Sequence, residues 1–231
     1  MNKIILFLFL FKLSFSYINI HPLFFDKPID HNGSYQEFTL FNQSSDPILY
    51  RIYVEENPKN KEMSMHKWVN FYPRSLTLKP GEIGKIQMSI ASHSKLPKGE
   101  YSTIFGIREI PIFQKEKTEN SNLSVYTDLK MVLNGYAGNI QPNLNFKNLK
   151  VLEKNKKIIL QGQVHNIGER RGKFELYIDN NFLGNLRIHS NESLNLDNLN
   201  FYCNRELITK KPKYLIINDY ITKKQIKKIK I

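Results

Sequence analysis

Leu123-Ser124-Val125-Tyr126-Thr127-Asp128-Leu129-Lys130-Met131-Val132-Leu133 is the stretch that decides the fold. Leu123, Val125, Thr127, Leu129, Met131 and Leu133 occupy the odd positions, with Ser124, Tyr126, Asp128 and Lys130 between them. A period of two, rich in β-branched and aromatic residues, predicts a strand. The polar run from Gln114 to Asn122 frees its start, and Gly135 to Pro142 is expected to end it. A long strand of this kind at a sheet edge is an aggregation liability. It is also what a protein needs if it binds others by adding a strand to them.

Upstream, short β-rich runs recur between turn residues. Ile18 to Asp26 is a strand interrupted by Pro22, which implies an edge, a bulge or a switch of sheet. Tyr35 to Phe41 and Ile48 to Val54 alternate, and Glu55 to Lys67 reads as a polar loop anchored by Met63 and Met65. Trp68 to Tyr72 follows, then Pro80-Gly81 as a tight turn into Gly84 to Ala91. Ser102 to Ile110 is closed by Pro111. About seven short strands with turns every ten or so residues fit an immunoglobulin-like sandwich.

A second domain opens near Gln141-Pro142. Ile158 to Val164 and Lys173 to Ile178 flank Asn166 to Gly172 and read as paired strands. Asp179-Asn180-Asn181 is the next turn, Tyr214 to Tyr220 a late strand, and the basic end a final strand or a loose tail. The expected class is all-β, two immunoglobulin-like β-sandwiches over residues 17–138 and 139–231.

Residues 1–16 read as a secretory signal: Lys3, the apolar run Ile4 to Phe11, and Ser14-Phe15-Ser16 before Tyr17. That run is too short to span a bilayer, so no integral membrane segment is expected in the mature chain. The single cysteine, Cys203, excludes an internal disulfide and a sulfur-based zinc site. It is expected to be a buried small apolar residue. The net charge of +13 comes from lysines spread along the chain, clustered only at Lys223, Lys224, Lys227, Lys228 and Lys230. With no zinc-finger, RNP or helix-turn-helix pattern, it points to solubility and acidic partners rather than nucleic acid.

The six histidines show no metal-ligand spacing, and there is no Gly-x-Ser-x-Gly elbow or phosphate loop. No enzyme activity, metal or cofactor is expected, and the pair Glu55-Glu56 reads as a solvated face. Four Asn-x-Ser words, at Asn32, Asn42, Asn122 and Asn191, are expected by chance in so Asn-rich a chain.

The first domain resembles the PapD-like periplasmic pilus chaperones. The matching words are Phe25-Asp26, Leu76 to Gly81, Lys95-Leu96-Pro97, Arg108-Glu109-Ile110-Pro111 and Thr127 to Lys130. Ile217-Asn218-Asp219-Tyr220 adds a weaker match in the second domain. Their order and spacing carry the resemblance. It implies two immunoglobulin-like domains in a boomerang arrangement, located in the periplasm. The client would be a pilus or fimbrial subunit that lacks a strand, later passed to an outer-membrane usher. Leu123 and Val125 would then fill subunit pockets, Thr127 would also belong to the subunit-binding strand, and Lys130 would anchor the subunit's C-terminal carboxylate, alone or with a partner that the sequence does not reveal. Glu100 and Asp219 match the acidic ends of an interdomain salt bridge. Pro22 stands where the family has a cleft arginine, and Asn134 where it has an interdomain arginine. Strict alternation places Lys130 opposite Leu123 and Val125, a conflict that a bulge would remove. The competing class is an exported structural or adhesive surface protein built from the same sandwiches.

Overall fold

The alternation read in the sequence becomes two-layered packing in the computed structural model, which describes residues 18–92, 94–110, 112, 126–199, 201–204 and 212–231. The chain divides into two units that meet between Gly138 and Asn139. In the first, β1 (Asn19–His21), β3 (Ser34–Phe41), β7 (Ile83–Ile90) and β5 (Val69–Tyr72) form a sheet in the order β1-β3-β7-β5. The second sheet is β2-β9-β8-β4-β6. Its members are β2 (Asp26–Pro28), β4 (Ile48–Glu56), β6 (Ser75–Leu78), β8 (Gly99–Ile110) and β9 (Asp128–Ala137).

Every second residue of β7 is buried, and Ile86, Met88 and Ile90 meet Tyr50, Phe105 and Leu133 in one core. Phe105 sits between Phe38, with ring centroids 5.2 Å apart, and Phe71, at 6.2 Å and edge-on. Met65 is fully buried and Met63 packs beside it, so the loop after β4 is held as expected.

The second unit also has two sheets. One is β10 (Leu144–Lys154), β11 (Lys157–Asn166) and β14 (Ser193–Asn195), with β15 (Tyr202–Asn204) also paired to β11. The other runs β13-β12-β16-β17, from β12 (Gly172–Ile178), β13 (Asn181–Ile188), β16 (Tyr214–Asp219) and β17 (Gln225–Lys230). Leu160 and Val164 face Phe174, Leu176, Leu215 and Ile217 across the core, and Cys203 is buried with them. Burial pushes its thiol pKa up. A two-residue turn with positive φ at Asn155 and Lys156 joins β10 to β11. Among the described residues no helix is long and apolar enough to cross a membrane.

Two local expectations are corrected. β11 and β12 do not pair; they belong to opposite sheets. The reason is the buried Asn166. Its carbonyl oxygen accepts from the Asn143 and Gly168 amides, and its amide donates to the Arg170 and His189 carbonyls. Those four bonds satisfy the side chain and fold residues 167–171 into a crossing between sheets. Second, the strand expected over Leu123 to Leu133 continues through Gly135 to Ala137, inside the segment expected to end it. A Cβ at Gly135 would lie 2.5 Å from Ile29 Cγ2, so this glycine serves close packing. The left-handed Gly138, φ 79°, follows the strand end.

Candidate functional site

β9 pairs antiparallel with β8 in unbroken register from Asp128 opposite Arg108 to Ala137 opposite Gly99. On its other side β2 runs parallel to it and covers only Asn134, Gly135 and Tyr136. The ladder fixes which main-chain groups remain. Glu109 N donates to Thr127 O (2.9 Å), so odd residues of β9 turn their backbone toward β8. Asn134 N donates to Phe25 O (3.0 Å) and Ile29 N to Tyr136 O (2.9 Å), so even residues turn the other way. Asp128, Lys130 and Val132 therefore aim their N–H and C=O groups at an edge that no other strand among the described residues occupies. The Val132 carbonyl accepts a bond from the Asn134 side chain (3.2 Å).

Thr127 lies just before the strand, half-buried, and its amide donates to the Glu109 carboxylate (2.9 Å). Glu109 is itself buried. With Thr127 it forms a double bond-exchange that pins the entry of the strand. The adjacent Tyr50, opposite Glu109 in register, has its hydroxyl pKa pushed up to about 12 by burial and by the charge of Glu109.

The outward face of β4, β8 and β9 carries a lattice of compensated charge. Lys130 Nζ donates to Glu55 Oε2 (2.8 Å), and both side chains are nearly half exposed. Tyr53 OH donates to Asp128 Oδ1 (2.6 Å), while Arg108 NH2 and Nε donate to Asp128 Oδ2 (2.7 and 3.1 Å). The hydroxyl end of the Tyr53 ring lies over Gly106, where an added Cβ would be 2.1 Å from Cζ. It sits between the cations of Arg108 and Lys130, 5.5 and 5.7 Å from its centroid. Partial burial opposes ionisation of Asp128, but the Tyr53 hydroxyl and Arg108 hold its carboxyl below the usual range. The bond to Glu55 raises the Lys130 pKa, and burial followed by Asp128 raises that of Tyr53.

The structure keeps Lys130 on the face opposite Met131 and Leu133, with no bulge between Asp128 and Ala137. The conflict seen in the sequence persists in this part of the strand. Leu123 and Val125 lie outside the described residues. Glu100 stands on β8 opposite Tyr136. Asp219 belongs to the other unit, where its Oδ1 accepts from Ile221 N, Thr222 N and Thr222 Oγ1 at the β16–β17 turn. Pro22 follows β1 through a cis peptide.

Sequence reasoning missed Glu55, Tyr53, Arg108 and Asp128 as one group, although Tyr53 and Glu55 share a parity on β4. Asn42, the first residue of one Asn-x-Ser word, is fully buried and donates to Leu78 O and Asp46 O (both 2.9 Å), which rules out a glycan there. Among the described residues no three His, Cys, Asp or Glu side chains converge as a metal site.

No protein-family model and no curated protein matches this sequence. Solved structures do match. A chain of the Salmonella enterica SafA pilin in complex with the SafB chaperone aligns at TM-score 0.50 and 9% identity, over 93% of this chain and 95% of that one. The periplasmic chaperone SfaE aligns at TM-score 0.50 and 11% identity, over 93% and 98%. The chain has the two-domain fold seen in PapD-like periplasmic pilus chaperones. At such identities the shared property is the fold, and in the first unit the edge of β9 beyond its three-residue pairing with β2 has main-chain groups that no strand among the described residues pairs.

Proposed function

We propose that the protein is a periplasmic chaperone of pilus or fimbrial subunits, exported by cleavage after Ser16. It binds its clients by strand addition along β9 and the residues preceding it, then delivers them to an outer-membrane usher. The observation that supports this reading most is the open edge. β2 covers three residues of β9, which leaves the main-chain groups of Asp128 and Lys130 and the Val132 N–H directed at an incoming strand, with the Val132 carbonyl bonded by the Asn134 side chain.

Each main-chain bond made to a client nets about 0.5–1.5 kcal/mol. Leu123 and Val125, if buried in client pockets, add about 1.5–3 kcal/mol each, less the ordering of both partners. Backbone bonds give affinity whatever the client sequence, and the side chains set register. A client carboxylate arriving at Lys130 takes the place of Glu55, its partner in the free protein. Delivery to the usher and the interdomain roles of Glu100 and Asp219 belong to this reading.

The test is co-purification of a strand-deficient subunit with Lys130→Met and with Leu123→Glu, alongside circular dichroism of the free proteins. Each variant is expected to stay folded and to lose tenfold or more in capture. If both stay folded and hold the subunit as tightly as the parent, a structural or adhesive surface role replaces this reading.

A further inference from the structure

The outward face of the sheet β13-β12-β16-β17 differs in kind from the β9 face. Lys173 on β12, Arg187 on β13, Lys228 and Lys230 on β17 and Lys223 in the turn carry positive charge there. Among the described residues of these strands, Glu175 is the acid on that face. It is already held by Lys223 and by the Tyr177 hydroxyl, the latter at 3.0 Å, and Lys223 keeps its carboxyl below the usual range. Ring faces hold the crowded lysines in place. Tyr220 takes Lys173 at 3.3 Å and Lys223 at 4.4 Å from its centroid, and Tyr214 takes Lys228 at 4.2 Å.

Exposed apolar side chains border this charge at the two outer strands. Phe182 on β13, stacked edge-on against Tyr177 at 5.5 Å, is 49% exposed, and Ile226 on β17 is 46% exposed. Four strands about 4.8 Å apart make a broad, gently twisted face. That shape matches a surface better than it grips an extended peptide.

We propose that this face docks on an anionic lipid bilayer. The lysines and arginine meet acidic headgroups, the tyrosines lie at headgroup level, and Phe182 and Ile226 enter the interface. Charge brings the protein to the leaflet, and the apolar border orients it with this sheet facing the lipid. The β9 edge belongs to the other unit, so client binding and membrane docking use separate surfaces.

Sedimentation of the mature chain with vesicles of phosphatidylglycerol and phosphatidylcholine, against vesicles of phosphatidylcholine alone, tests this. Binding is expected to the anionic vesicles and to fall steeply with added salt. Lys228→Glu/Lys230→Glu is expected to lose more than about tenfold. Arg187→Glu, on a different strand, serves as an independent variant should the first fail to fold. Phe182→Ser is expected to weaken binding at constant charge, and Lys130→Met to leave it unchanged. Equal binding to both vesicle types, or full binding by both charge-reversal variants, overturns the proposal. So does poly-glutamate that binds as tightly as the anionic vesicles with no effect of Phe182→Ser, which would assign the face to an acidic polypeptide.

Discussion

Two strand edges in this molecule share a geometry and differ in their chemistry. β9 presents Asp128, Lys130 and Val132 at its open side, while β17 is the outermost strand of its sheet and carries Lys227, Lys228 and Lys230 within six residues. Charge alone does not separate them. On β9 each charge has a partner on the same face, Asp128 with Arg108 and Lys130 with Glu55, so an approaching neutral strand meets little net field. Lys228 and Lys230 stand two residues apart on one face of β17, and a strand added there would bury uncompensated cations. The difference between the edge proposed to accept a strand and one built to refuse it therefore lies in pairing across the sheet, which no single strand's sequence displays.

The largest effect is expected from erasing that difference. Lys228→Val/Lys230→Val leaves β17 with a continuous β-branched run over residues 228–230 and only Lys227 within the strand to blunt it. The variant is expected to fold and then to self-associate on concentration, followed by light scattering. A variant that stays monomeric at the parent's solubility would show that something other than lysine protects this edge.

Next in size is the entry of β9. Glu109→Ala removes the carboxylate that accepts from Thr127 N and with it a charge-assisted bond at the strand's entry. A loss of about 1–3 kcal/mol is expected in urea unfolding, with a further loss of client capture because the strand start frays. Glu109→Gln retains an acceptor and is expected to fall between the two. Equal stability of Ala and parent would mean that the strand entry is held elsewhere.

A smaller effect is expected at Gly106. Adding a methyl group there drives into the Tyr53 ring, whose nearest atoms would be 2.1 and 2.3 Å away. The ring must lift, which separates its hydroxyl from Asp128 and loosens the lattice. Gly106→Ala is expected to cost about 1 kcal/mol, at the low end for overpacking because the ring can move outward. Unchanged thermal unfolding would indicate that the ring makes no net contribution where it lies.

The strands that alternate cleanly were legible in the sequence. β3, β4 and β7 fall within a residue or two of the expected runs, because one face of each is buried and period two is then enforced. β9 was found but ended too early, since Gly135 reads as a turn residue until Ile29 is seen against it. The supposed pairing of β11 with β12 failed because a loop containing Asn, Gly and charged residues reads the same whether it makes a hairpin or crosses between sheets. Only the four bonds of the buried Asn166 distinguish the two. The candidate site was half legible. Lys130 stood out on β9, whereas Glu55 lies 75 positions away and meets it only once β4, β8 and β9 are side by side.

The smallest effect is a titration. Asp128 owes its depressed pKa first to the Tyr53 hydroxyl and then to Arg108, both working against partial burial. A carboxyl depressed in the folded state contributes stability that is present above its ordinary value of 3.8 and is lost as the pH falls through the folded value. Tyr53→Phe deletes one of the two supports and keeps the ring over Gly106. The Asp128 pKa is then expected to rise part of the way toward the ordinary value, since Arg108 still holds the other oxygen, and the acid limb of the stability profile is expected to move to higher pH with it. Following the Asp128 carboxyl carbon by NMR against pH reads this directly. An unmoved pKa would show that Arg108 alone sets the charge of Asp128. Tyr53 would then matter to the β9 edge only through packing, and the compensation that separates β9 from β17 would rest on the two ion pairs without the ring between them.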